Sequence, residues 1–171
     1  MKILKFKLIW LIYLIIFLFI LYFSRSVFIE KYNFNYIEDL YFTSQWFDGT
    51  SQRIMSDNEL YQYAGYKYLT GESLFNINPE VPPLGKYFYG LSILLFNNPY
   101  FISPALFIAT FLAYYFLLRK IFKNQKAIHF ALLLFLLSPI FIEQISRTML
   151  DLPQLLFFLL HLNFILRINL Q

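Results

Sequence analysis

Residues 87–118 read YFYGLSILLFNNPYFISPALFIATFLAYYFLL and carry no charge. A helix crossing about 30 Å of hydrocarbon, at about 1.5 Å per residue, needs about 20 residues. The stretch is too long for one ordinary span and short for two. Asn97-Asn98-Pro99 divides it, because proline ends or kinks a helix at the residue before it. Either both pieces cross a bilayer, or residues 84–96 lie along its surface and residues 101–118 cross alone.

The flanking charges decide between them. Arg119, Lys120, Lys123 and Lys126 follow directly, and a short basic loop of this kind belongs on the cytoplasmic side. Lys2, Lys5 and Lys7 precede another uncharged run, residues 8–23. That run is bulky and lacks a small-residue cleavage site, so it reads as a retained anchor helix. Both basic segments share one side only if an even number of crossings separates them. Residues 84–96 are therefore interfacial or re-entrant, with Tyr87, Phe88 and Tyr89 suited to the aromatic belt. Residues 128–142 then run outward, and residues 152–166 return.

The expected fold is an all-α membrane protein with about four transmembrane helices and juxtamembrane helices in an outer loop. Its parts are an anchor over 1–24, an outer loop over 25–99 and three further spans over 100–171. All ten acidic residues fall on the outer side of this topology.

Composition agrees. The chain is 59% hydrophobic, where a soluble domain is roughly 45–50% apolar. Its net charge of +4 comes from Lys and Arg flanking apolar runs, not from the basic face of a nucleic-acid reader. The absence of cysteine excludes disulfides and thiolate chemistry.

The outer loop holds the candidate chemistry. DNELYQYAGYKYL, residues 57–69, has Leu60, Tyr61, Ala64 and Tyr68 near helical spacing. Ser56 or Asp57 is placed to cap it, Glu59 to complement its amino terminus, and Thr70-Gly71 to end it. Asn78-Pro79-Glu80-Val81-Pro82-Pro83-Leu84-Gly85-Lys86 follows, where proline suits a first helical turn. Asp151 lies two residues before Pro153 at the start of the last span.

Three stretches together carry a resemblance: SDNELYQYAGYKYLTGE (56–72), NPEVPPLGKYFYGLSILLF (78–96) and SRTMLDLPQLLFFLL (146–160). Their order resembles the GT-C glycosyltransferases that use polyprenyl-phosphate sugars, among them protein O-mannosyltransferases and bacterial aminoarabinose transferases. Asn58 stands where that pattern has Glu, and Val81 where it commonly has His. The resemblance implies a many-helix membrane fold with a site at the outer surface. A sugar would leave a polyprenyl phosphate for an outer-face lipid, glycan or protein acceptor.

By the same resemblance a loop carboxylate, Asp57 or Glu59, is the general base, the spacing to Tyr61 favouring Asp57. Asp151 lies near it. Lys86 and Arg147 are the cations for the departing phosphate, and Tyr61 joins the substrate-binding set. Glu80 matches a position that contacts a divalent metal in the aminoarabinose transferases. Family members are several times longer, so the expectation is an amino-terminal portion. The competing reading is a non-catalytic membrane subunit or an inactive truncated homologue. A transporter is disfavoured, because the spans hold Ser, Thr, Asn, Gln and His but no charged residue, and the carboxylates gather outside. His129 and His161 read as packing residues.

Overall fold

The computed structural model describes residues 2–168, with side chains from Leu8 to Arg167. The side chains of Lys2, Lys5 and Lys7, on which the placement of the amino terminus rests, lie outside the described residues. All regular structure among the described residues is α-helical. In chain order the helices are α1 (Lys2–Phe23), α2 (Arg25–Ile29), α3 (Phe34–Phe42), α4 (Asp57–Leu69), α5 (Leu84–Phe96), α6 (Ser103–Ile121), α7 (Gln125–Leu137), α8 (Pro139–Glu143) and α9 (Asp151–Ile168).

Local chemistry sets the boundaries that matter for the site. Ser56 caps α4 in a full capping box with Glu59. The helix stops at Thr70, where Gly71 takes φ +102° and the Glu72 N–H returns to the Lys67 carbonyl at 2.9 Å. Pro83 leads into α5, and Asn97, at φ +52°, ends it in the left-handed region. Asn124 caps α7 through its side chain.

Two departures from the sequence reading have clear causes. The expected span over 128–142 is broken at Ser138, which is extended at ψ 122° and gives way to α8. Pro139 is the reason, since it disfavours the helical conformation in the residue before it. The segment 25–99 also holds two short helices that the sequence reading did not give, α2 and α3, beside the α4 and α5 that it did. By length and composition α6 is the one described helix able to cross a membrane. The runs Leu8–Phe23, Leu84–Phe96 and Gln125–Leu137 are apolar but shorter.

The helices pack as two joined layers. In the first, α1, α5, α6, α7 and α9 close around Tyr13, Phe107, Phe111, Ile128, Leu132 and Leu156. In the second, α3 and α4 close around Leu40, Tyr41, Leu60, Tyr63 and Ala64, with Met55 and Ile77 from the loops. Tyr41 and Tyr63 pack with ring centroids 4.7 Å apart. Helix α5 belongs to both layers, with Tyr89 in the first and Tyr87 against the second.

The joint is backbone on backbone. A methyl added at Gly65 would lie 2.0 Å from the Lys86 carbonyl oxygen, and one at Gly90 would lie 2.1 Å from the Gly65 carbonyl oxygen. Small residues permit such crossings, and they are common where helices associate in lipid. This contact fixes the third turn of α4 against the first half of α5.

Candidate functional site

The capping box separates the two candidate carboxylates. Glu59 accepts hydrogen bonds from the Ser56 N–H at 2.9 Å and the Ser56 hydroxyl at 2.8 Å. Its place is that of a helix cap. Asp57, two residues earlier, is exposed and forms no hydrogen bond or ion pair among the described residues. It faces a cleft of about 490 Å³ whose other walls include Ser146, Arg147 and Met149.

Asn58, standing between the two acids, ties that cleft together. Its side-chain oxygen accepts from the Thr148 N–H at 2.5 Å and the Thr148 hydroxyl at 2.7 Å. Its amide nitrogen donates to the Tyr100 hydroxyl at 3.2 Å. One turn on, the Gln62 amide donates to the same Tyr100 hydroxyl at 3.2 Å and to the Thr148 hydroxyl at 3.1 Å. Thr148 is fully buried and Gln62 nearly so. Buried polar groups of this kind need partners, and here they supply one another. The network holds the first turn of α4 against the loop that leads into α9.

Asp151 lies exposed in the first turn of α9 and accepts from the Gln144 amide at 3.3 Å. Tyr61 relates it to Asp57. Burial chiefly raises the pKa of the Tyr61 hydroxyl, and the charges of Asp57 and Asp151 raise it further. Both carboxylates are therefore within electrostatic reach of one phenol. Tyr89 responds in the same way to burial and then to Asp151, and it donates to the Met149 carbonyl at 2.5 Å.

The cations stand differently from expectation. Lys86 was expected at headgroup depth facing a lipid phosphate, but it is fully buried. Its ammonium donates to the carbonyls of Asn78 at 2.7 Å and Val81 at 3.0 Å, with the Tyr68 hydroxyl at 3.5 Å. It also lies 5.7 Å above the Tyr61 ring and 5.6 Å above the Tyr68 ring. Burial pulls its pKa down to about 8. The cause is the fold: α4 closes its tyrosines over the first turn of α5 and turns Lys86 inward. Arg147 stays at the surface, paired with Glu143 at 2.5 Å.

Glu80 is exposed and far from a ligand set: no group of three or more His, Asp or Glu side chains comes together among the described residues. His129 bonds through Nδ1 to the Tyr13 hydroxyl at 2.9 Å, a packing contact, whereas His161 is exposed on α9.

The structure thus gathers Asp57, Tyr61, Asp151 and Arg147 at one end of the bundle, sets Glu59 into a cap and Lys86 beneath the surface, and leaves Glu80 apart. Sequence reasoning marked Asn58 only as a departure from the family pattern and missed Gln62, Thr148 and Tyr100. A signal was present in the Asn58–Gln62 pair, four residues apart on a strongly aromatic helix. The chain matches no family model, no curated protein and no solved structure.

Proposed function

We propose that the chain is a membrane-embedded glycosyltransferase unit, of the polyprenyl-phosphate-sugar-dependent kind, working at the outer membrane surface. The observation that carries the reading is the unpartnered Asp57 carboxylate on a cleft shared with Arg147, with Asp151 nearby. A carboxylate in hydrogen-bond reach of an acceptor hydroxyl or amine takes its proton as the nucleophile attacks the sugar. The leaving phosphate gathers negative charge, and Arg147 is the cation on that cleft. Glu59 is excluded from the base role in this reading, because its oxygens hold the Ser56 cap.

The membrane part of the proposal is supported by the flanks of the bundle. Leu11, Leu18, Phe19, Phe116, Phe130, Leu134, Phe158 and Phe164 are exposed on four different helices. Apolar surface so widely spread is a liability in water and ordinary in lipid. In this reading α6 crosses the bilayer, the basic α6–α7 turn lies on the cytoplasmic side, and shorter apolar helices packed beside α6 make the further crossings.

One observation favours the second reading, a non-catalytic membrane subunit. Both cations assigned to the phosphate are engaged, Lys86 inside the fold and Arg147 with Glu143.

The test is transfer of labelled sugar from a polyprenyl phosphate in membranes carrying the chain. Asp57→Asn is expected to lower the rate by about 100-fold or more, in the range of a lost general base. Glu59→Gln is expected to retain most of it. Full activity in Asp57→Asn sinks the proposal.

A further inference from the structure

A second groove opens on the other flank of α4. Asn58 and Gln62 lie roughly 100–140° around the helix from Asp57, by helical geometry. The groove encloses about 230 Å³, and its walls include Glu30, Lys31, Tyr36, Asn58, Gln62 and Tyr100. Asn58 also borders the Asp57 cleft. Asn58 therefore lines both hollows.

The groups facing this groove have bonding capacity left over. The Tyr100 hydroxyl accepts from two amides, and its own proton meets no acceptor among the described residues. The side chains of Glu30, Lys31 and Tyr36 form no hydrogen bond or ion pair there either. Tyr36 is half exposed and lines the groove, so it supplies an aromatic ring there. The charge balance is also informative: Glu30 and Glu59 face a single ammonium, Lys31. An anion is repelled, and a neutral or amine-bearing ligand is favoured. Alternating donors and acceptors beside an aromatic ring suit a polyhydroxylated ring with one apolar face.

We propose that this groove is the acceptor subsite and takes a neutral or amine-bearing sugar, which reaches past Asn58 toward Asp57. The assignment rests on the glycosyltransferase reading above. The ring packs on Tyr36, its hydroxyls meet Tyr100 and Lys31, and an amine pairs with Glu30.

The experiment uses the full chain in lipid nanodiscs and saturation-transfer NMR with glucosamine, glucose and glucuronate as probes. Saturation is expected for glucosamine and glucose, and weakly for glucuronate. Tyr36→Ala is expected to reduce binding of the first two by about five-fold, the loss of one aromatic contact. Glu30→Gln is expected to erase the advantage of glucosamine over glucose. Both residues are at the surface, so both variants keep the fold. Absence of saturation with either sugar overturns the proposal, as does unchanged binding in both variants. The outcome is separable from that of the enzyme reading. Sugar binding without polyprenyl-dependent transfer overturns the transferase and leaves a sugar-binding groove. Transfer lost in Asp57→Asn, with no sugar in the groove, overturns the groove alone.

Discussion

At the scale of the residue, Asn58 and Lys86 illustrate opposite ways of placing a polar group. Asn58 both donates and accepts, so it links Thr148 to Tyr100; a carboxylate at that position has no donor for Tyr100. Thr148→Val keeps the shape but removes the hydroxyl shared by Asn58 and Gln62. Leaving buried partners unmatched costs about 1–3 kcal/mol, so a clear fall in melting temperature is expected, with Thr148→Ser recovering most of it. Scanning fluorimetry in detergent reads both.

Lys86 has the opposite problem, a charge inside without a carboxylate. Folding lowers its pKa from 10.5 to about 8. Between those values the unfolded chain binds the additional proton, so stability rises as pH rises through the window, and the full cost of the buried charge stands below it. Burial pushes the Tyr68 hydroxyl up to about 12 from 10.0, which acts in the opposite direction above the ordinary tyrosine range. The rise is therefore sought between about pH 8 and 10. Lys86→Met is expected to flatten it; an unchanged slope in that variant removes Lys86 as its source. Nothing in the local sequence marked Lys86 as buried, because its burial depends on tyrosines eighteen and twenty-five residues earlier, Tyr68 and Tyr61, closing over it. The Asp57–Glu59 ambiguity was legible in part: the capping box was there to be read in Ser56 and Glu59, and it leaves Asp57 free.

At the scale of the element, α4 and α5 carry the load. Gly65 and Gly90 meet with no room for a methyl, whereas Gly49 has open space around it. Gly65→Ala or Gly90→Ala is expected to cost about 2 kcal/mol or more by overpacking, and Gly49→Ala close to nothing. Thermal melts of the three variants check the contrast; similar melting temperatures would refute the backbone contact. The limits of α4 and α5 were readable because caps and prolines are local signals: Asp57–Leu69 and Leu84–Phe96 agree with the structure. The break at Ser138 is equally local, but the uncharged run around it hides the proline's effect. Helix α3 was missed because its short apolar face, Ile37, Leu40 and Tyr41, makes sense only against α4.

At the scale of the whole molecule, the proposal requires the orientation that the basic flanks at Arg119, Lys120, Lys123 and Lys126 imply. Because the chain has no cysteine, each introduced thiol is the sole one. Gln52→Cys is expected to react with a membrane-impermeant maleimide in intact cells, and Lys123→Cys only after permeabilisation. Labelling of both positions from the same side overturns the arrangement. All-helical architecture was legible from composition and run length. The number of crossings was not, since short apolar helices can span, lie flat or pack inside, and only neighbours choose among them.

The direct contact at Gly65 and Gly90 has a mechanical consequence. With no compressible side chains between them, tilting α5 must carry α4 along like a crank on its shaft. On the membrane reading proposed above, a change in the tilt of α5 against the lipid is passed through this contact to α4, which carries Asp57 at its start. The cleft beside Asp57 then moves with α5 as one piece.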